Sequence, residues 1–307
     1  MGLETNKVSD MRVLITGARG QVGCELIRRA PKGFDVIGLG SRELDVSDSD
    51  QVKAIVTEMR PQLIINAAAY TAVDQAESDT ERAWAVNRDG VANLASAAEE
   101  LDIPLLHIST DYVFSGEASE PYRESDATSP SGVYGASKLG GEEALLANCR
   151  QHIILRTSWV FGAHGNNFVK TMLRLGRERE TLSVVADQYG CPTSAASIAD
   201  ALWSLACQHK ETGILQWGTY HFGGTPACTW YKFAEEIFKQ SSELEVLAKT
   251  PELKAISTAD YPTPAKRPAW SVLDCSRFQS VHGVAQTDWR EGLGEVLQEL
   301  NSFRAQM

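Results

Sequence analysis

Apolar residues fall along this chain in short unbroken runs, and between the runs the spacing becomes helical. Residues 11–16 (Met-Arg-Val-Leu-Ile-Thr) form the first run, and a helical pattern over 24–30 follows it. Runs at 34–39, 62–66, 104–109, 152–156 and 219–222 repeat the theme, with amphipathic stretches at about 48–60, 80–101, 134–147 and 194–207. Further helices are expected to about 179 from the Gly165-Asn-Asn-Phe168 opening, at 230–240 and at about 286–300, with a poorly patterned stretch before the last. Strands that are apolar on both faces and alternate with helices predict an α/β fold, a doubly wound parallel sheet.

The turn after the first run adds chemistry to that picture. Gly17-Ala-Arg-Gly20-Gln-Val-Gly23 follows a strand and opens a helix, where small residues admit a pyrophosphate and the helix start favours its charge. This makes the architecture Rossmann-type, although the spacing departs from the usual G-x-G-x-x-G. The second strand ends in Gly40-Ser41-Arg42 rather than in an acid. An Arg there suits a 2′-phosphate and points to NADPH, while Glu43 keeps NADH in play. Asp45 is placed either to reach an adenine or to cap nearby backbone. Ala67-Ala-Ala69-Tyr70-Thr71 supplies small residues at the end of a central strand, across which a flat cofactor can lie.

A second constellation lies further on. Thr110 and Asp111 sit at the end of the fourth strand, and Tyr134 and Lys138 stand one helical turn apart on the next helix. A phenol beside a cation can exchange a proton with a carbonyl oxygen, and a strand-end hydroxyl can donate to the same oxygen. Trp159 suits either a sugar pocket or the core. The turn Tyr261-Pro-Thr-Pro-Ala-Lys266-Arg267-Pro268 reads as a diphosphate clamp or as a solvated basic loop. On this reading residues 11–165 are a dinucleotide-binding domain. Residues 166–307 are mainly a smaller, interleaved substrate-binding lobe, with about 185–222 returning to the first domain, and residues 1–10 are a tail.

Composition narrows the function classes. A net charge of −11 and a pI near 5.1 argue against a nucleic-acid surface, so an anionic small substrate needs a local basic pocket. No apolar run approaches the ~18 residues of a membrane span. Six cysteines, at 24, 149, 191, 207, 228 and 275, show no C-x-x-C or His-paired cluster, which predicts reduced thiols in a cytoplasmic setting and no zinc site.

Taken together, these motifs resemble the extended short-chain dehydrogenase/reductases, and within them the dTDP-4-dehydrorhamnose reductase family. The resemblance runs from Met11 to about Leu300. It rests on Gly17–Gly23, Asn66-Ala-Ala-Ala-Tyr-Thr-Ala-Val-Asp74, Ser109-Thr-Asp-Tyr-Val-Phe114, Val133-Tyr-Gly-Ala-Ser-Lys138, Arg156-Thr-Ser-Trp-Val-Phe161 and Tyr261–Pro268. It implies reduction of the C4 ketone of a dTDP-sugar by NADPH or NADH. Tyr134 would be the general acid, Lys138 would hold the nicotinamide ribose and lower the Tyr134 pKa, and Thr110 would bind the carbonyl oxygen. Gly20, Gln21, Val22, Asp45, Ala69, Tyr70 and Thr71 would line the cofactor, and Asp111, Trp159 and Arg267 the nucleotide sugar.

Two positions depart from the family pattern. Trp270 stands where relatives commonly carry Asn. Some relatives also form homodimers through magnesium held by glutamates; Glu25 would match one of these, but Ser197 stands about where a second acid would be expected, which predicts no essential metal. The same resemblance leaves two alternatives, a nucleotide-sugar epimerase or dehydratase that recycles its cofactor, and a non-catalytic subunit like the β subunit of methionine adenosyltransferase.

Overall fold

The computed structural model describes residues 10–305, so all but the last residue of the expected tail lies outside it. Five strands appear in order over the first half of the chain and just past it: β1 Met11–Thr16, β2 Phe34–Leu39, β3 Leu63–Asn66, β4 Leu105–Thr110 and β5 His152–Thr157. β6 Thr181–Val185, β7 Gly218–His221 and β8 Glu252–Ile256 follow. The main sheet runs β7-β5-β4-β3-β1-β2 and all its ladders are parallel. Every residue of β3 and β5 is buried, because helices cover both faces and leave no polar side to alternate with.

Helices α1 Gln21–Arg28 and α2 Ser49–Met59 follow β1 and β2. Asp48 starts α2 by accepting from the Asp50 and Gln51 N–H groups, and Arg60 ends it in the left-handed region at φ 44°. The expected helix at 80–101 is interrupted: α3 Thr80–Trp84 and α4 Gly90–Glu100 flank a π-helical turn, Ala85–Asp89. α5 Val133–Asn148 carries Tyr134 and Lys138. Beyond it lie α6 Phe168–Glu178, α7 Ala195–Thr212, α8 Trp230–Glu243 and α9 Trp289–Ala305.

Each face of the sheet has its own core. Leu26 of α1 and Ile198, Leu202 and Trp203 of α7 pack on one side, and Val52, Val56, Leu94 and Leu145 of α2, α4 and α5 on the other. A third core joins α6, α8 and α9 around Phe161, Phe233 and Leu293. Under it β6 pairs with β8 in a two-stranded parallel ladder that the apolar pattern does not predict. The reason is visible in β8, where Glu252, Lys254 and Ala255 lie outward and only Leu253 and Ile256 are partly covered. α7 and β7 belong to the sheet although they follow α6 in the chain.

Candidate active site

The carboxyl ends of β1, β3, β4 and β5 open into two cavities that share Gly20, Ala67 and Ala69 in their walls. The first, of about 390 Å³, runs from Gly17 and Gly20 past Asp45 to Tyr70. Its floor depends on glycine: Gly17 has φ +64°, and a Cβ there would stand 2.5 Å from the Ala67 backbone. Gly23 is buried in the same turn, where a Cβ would overlap the Gly17 carbonyl. No side chain caps α1 and no acid lies in its first turn, which leaves its start free of competing negative charge.

The far wall presents a different arginine from the one expected. Arg42 is exposed and does not line the cavity; Arg19 does. Gly40 makes room for it, since a Cβ at residue 40 would meet the Arg19 side chain at 3.0 Å. Glu43 pairs with Arg19 and accepts from the Gly40 N–H. Arg19 lay inside the glycine motif, but spacing alone could not show its side chain turning onto β2. Asp45 also lines this wall; it accepts from Ser47 N–H and Oγ and pairs with Arg82 at 3.3 Å, so it closes a turn and faces the cavity at once.

The second cavity, of about 530 Å³, brings together Gln21, Val22, Thr71, Thr110, Asp111, Tyr134, Lys138 and Trp159. Asn87, in the π-helical turn, ties Tyr70 of the first cavity's wall to α5: Oδ1 accepts from the Tyr70 N–H at 2.8 Å, and Nδ2 donates to the Tyr70 carbonyl and to Ser137 Oγ on α5, both at 3.0 Å. The extra residue of the π turn sits where α5 approaches closely, since a Cβ at Gly141 would stand 2.1 Å from the Asn87 carbonyl.

Burial governs the electrostatics. It pushes the Tyr134 phenol up, with Asp111 and Tyr112 adding to the rise, while the Thr110 hydroxyl works in the opposite direction. Lys138, 2% exposed, is lowered by burial to about 8, partly offset by Glu142. Contrary to the expectation that Lys138 depresses Tyr134, its Nζ is turned to the Ile108 carbonyl at 2.7 Å and to His107 Nε2 at 3.3 Å. Burial raises Asp111 to about 7 despite the Ser271 and Thr110 hydroxyls nearby.

Trp159 stands between cavity and core. It lines the cavity at φ 48° and stacks on Trp230 at 3.5 Å, in contact with the third core. Arg267 lines neither cavity; it pairs with Asp74 at 2.6 Å and lies close enough to Tyr112 to favour its ionised form. Tyr112 in turn packs edge-on against Tyr134. Trp270 donates to the Glu120 carbonyl and packs against Tyr189.

Glu25, expected from the resemblance to lack an acidic partner, has two neighbours that the sequence reading did not find. Glu25, His164 and Glu299 present ligand atoms within 4.8 Å of one another, drawn from three distant segments. Arg28 holds the Glu25 carboxylate at 2.6 Å. Ser197, where a second acid was sought, instead bonds Ser194 and Thr287. All six cysteines are free. Among the described residues no helix is long and apolar enough to cross a membrane.

Comparison with known proteins places the chain in a family. A family model described as the RmlD substrate binding domain matches residues 11–302. The dTDP-4-dehydrorhamnose reductase of Aggregatibacter actinomycetemcomitans is 47% identical over 287 residues, 93% of this chain and 98% of the relative. The structure of such a reductase from Clostridium acetobutylicum superposes with a TM-score of 0.88 at 37% identity, over 94% of this chain and 99% of that one. Another from Bacillus anthracis, in complex with NADP, gives 0.86 at 38% identity with the same coverage. With its glycine turn, strand-end Thr and Tyr/Lys helix in place, this chain belongs to the dTDP-4-dehydrorhamnose reductase family.

Proposed function

We propose that the protein reduces the C4 ketone of dTDP-4-dehydro-L-rhamnose to the alcohol of dTDP-L-rhamnose, with NADPH favoured over NADH. The observation that carries this is the single cavity wall in which Thr110, Tyr134 and Lys138 adjoin the end of the glycine-floored cavity. The donor set fits a dinucleotide: the uncapped start of α1 suits a pyrophosphate and the small residues at Ala67–Ala69 admit a flat ring. Once bound, a reduced nicotinamide supplies hydride to the carbonyl carbon.

The chain's own residues complete the chemistry. Tyr134 gives its phenolic proton to the oxygen as charge builds there, and Thr110 donates a hydrogen bond to that oxygen. The high phenol pKa keeps the proton in place until it is needed. Lys138 holds the nicotinamide ribose and resupplies the proton. Gln21, Val22, Tyr70 and Thr71 line the cofactor; Asp111 and Trp159 bind the sugar, and Arg267 orders that wall through Tyr112. Arg19, rather than Arg42, meets the 2′-phosphate, and Glu43 the 2′-hydroxyl of NADH. The reaction uses no metal; a homodimer and a cytoplasmic setting belong to the same proposal. Net oxidation of NADPH by the keto-sugar tests the reading, because an epimerase or dehydratase returns its cofactor unchanged and a regulatory subunit turns nothing over.

A further inference from the structure

Three neighbouring strands carry a line of polar side chains to which the reaction gives no part. Thr16 of β1 is the register partner of Asn66 of β3, and Asn66 is the register partner of His107 of β4. Thr16, Asn66 and His107 are 1%, 1% and 0% exposed, and the line ends at Lys138.

The backbone fixes where the protons lie. The Ala68 N–H can only donate, and it donates to Asn66 Oδ1 at 3.1 Å; Thr16 Oγ1 donates to the same oxygen at 2.6 Å. The amide nitrogen Nδ2 must therefore be the atom facing His107 Nδ1, at 2.9 Å. An amide nitrogen donates, so Nδ1 accepts and the imidazole proton sits on Nε2. A cationic ring would oppose two donors there, and burial disfavours it as well. Nε2–H then points at Lys138 Nζ, 3.3 Å away, while Nζ donates to the Ile108 carbonyl. An amine has a lone pair to receive that N–H; an ammonium has none.

Other charged groups near Lys138 do not reproduce this effect. Glu142, one turn along α5, favours the ammonium but is held by Arg156 of β5 at 2.6 Å and by Ser109. Asp111 and Tyr112 lie on the turn after β4, and Tyr134 precedes Lys138 on its own helix. His107 is the group in direct contact that opposes the ammonium.

We propose that His107 is a positioning residue for Lys138: locked as its Nε2–H tautomer by Thr16 and Asn66, it opposes an N–H to Nζ and holds the lysine ready to give up a proton. Only the consequence for turnover rests on the reductase reading. The tautomer does not.

The test has two arms on the full-length protein. In the first, ¹⁵N-histidine NMR is recorded with and without NADPH from about pH 6 to 9, and the His107 signals are identified by their loss in His107→Met. A neutral Nε2–H ring throughout is expected; an Nδ1–H or cationic ring overturns the proposal. Should His107→Met fail to fold, Asn66→Asp serves instead: a carboxylate at that place accepts from Nδ1–H, so the ring must switch tautomer, and a ring that does not switch is contrary to the proposal. In the second arm, the basic limb of the kcat–pH profile moves up by roughly one unit in His107→Met, with KM for the sugar changed by less than about threefold. Equal loss of kcat at every pH, with the limb unmoved, makes His107 packing alone and overturns it. Absence of any turnover by the wild type would sink the reductase reading, leaving the NMR arm to decide this one.

Discussion

Thr110 Oγ1 donates to Asp111 Oδ1 at 3.0 Å, and the other oxygen of that carboxylate, Oδ2, is buried with no hydrogen-bond partner. Ser271 stands nearby, but its hydroxyl donates to the Tyr189 carbonyl. A carboxylate 3% exposed with one oxygen unpartnered is costly to keep ionised.

That cost has a definite pH dependence. Asp111 is raised from 3.8 to about 7, so between those values the native state binds more protons than the unfolded chain, and stability falls as pH rises through that window. Asp111→Asn removes the penalty: thermal melts should show stabilisation on the order of 2–4 kcal/mol at pH 8 and little change at pH 4. The same variant should raise KM for the sugar. Equal stability changes at both pH values would mean that Asp111 is not a buried, strained acid.

Arg19 makes the cofactor wall testable. Arg19→Ala should raise KM for NADPH by about 10- to 100-fold, the worth of one charge-assisted contact, and leave KM for NADH within about twofold. Arg42→Ala should change neither. Kinetics with both cofactors read this directly, and a loss confined to Arg42→Ala would restore the sequence-based assignment.

Much of this site was legible in the sequence because the sheet is parallel. Buried strands write continuous apolar runs, their ends fall at glycine, Ala or Thr, and the chemistry collects at those ends, which located the glycine turn and Thr110; Tyr134 and Lys138 came from helical spacing, and their union with Thr110 from the family resemblance. What the pattern could not carry was direction in three dimensions. Arg19 lies over Gly40, Nζ of Lys138 turns to His107, and Arg267 is spent on Asp74; each depends on contacts between segments far apart in the chain. The π turn at Ala85–Asp89 and the β6–β8 ladder were hidden for a similar reason, because tertiary packing rather than local propensity makes them.

Glu142 and Arg156 form a buried pair beneath the site, with side chains 2% and 7% exposed and two nitrogens of the guanidinium engaged. Removing one partner strands the other. Arg156→Met should cost about 3–5 kcal/mol in denaturant unfolding, and adding Glu142→Gln should recover part of it. A single variant as stable as wild type would contradict the pair's place in the fold.

The Glu25, His164 and Glu299 cluster predicts the outcome of chelation. Arg28 already balances the Glu25 carboxylate, so dialysis against EDTA should leave kcat within about 20% of its starting value and the sedimentation coefficient unchanged. Loss of either, restored by magnesium, would show that the cluster holds a working ion.

The central claim is proton delivery by Tyr134 to a sugar C4 oxygen. It is tested by NADPH oxidation with dTDP-4-dehydro-L-rhamnose, with the product's C4 configuration read by NMR, for wild type and Tyr134→Phe side by side. The expected result is one NADPH consumed per dTDP-L-rhamnose formed, with kcat down by about 10²- to 10⁴-fold in the variant. Equal rates in the two proteins, or no net NADPH consumption by the wild type, would contradict it.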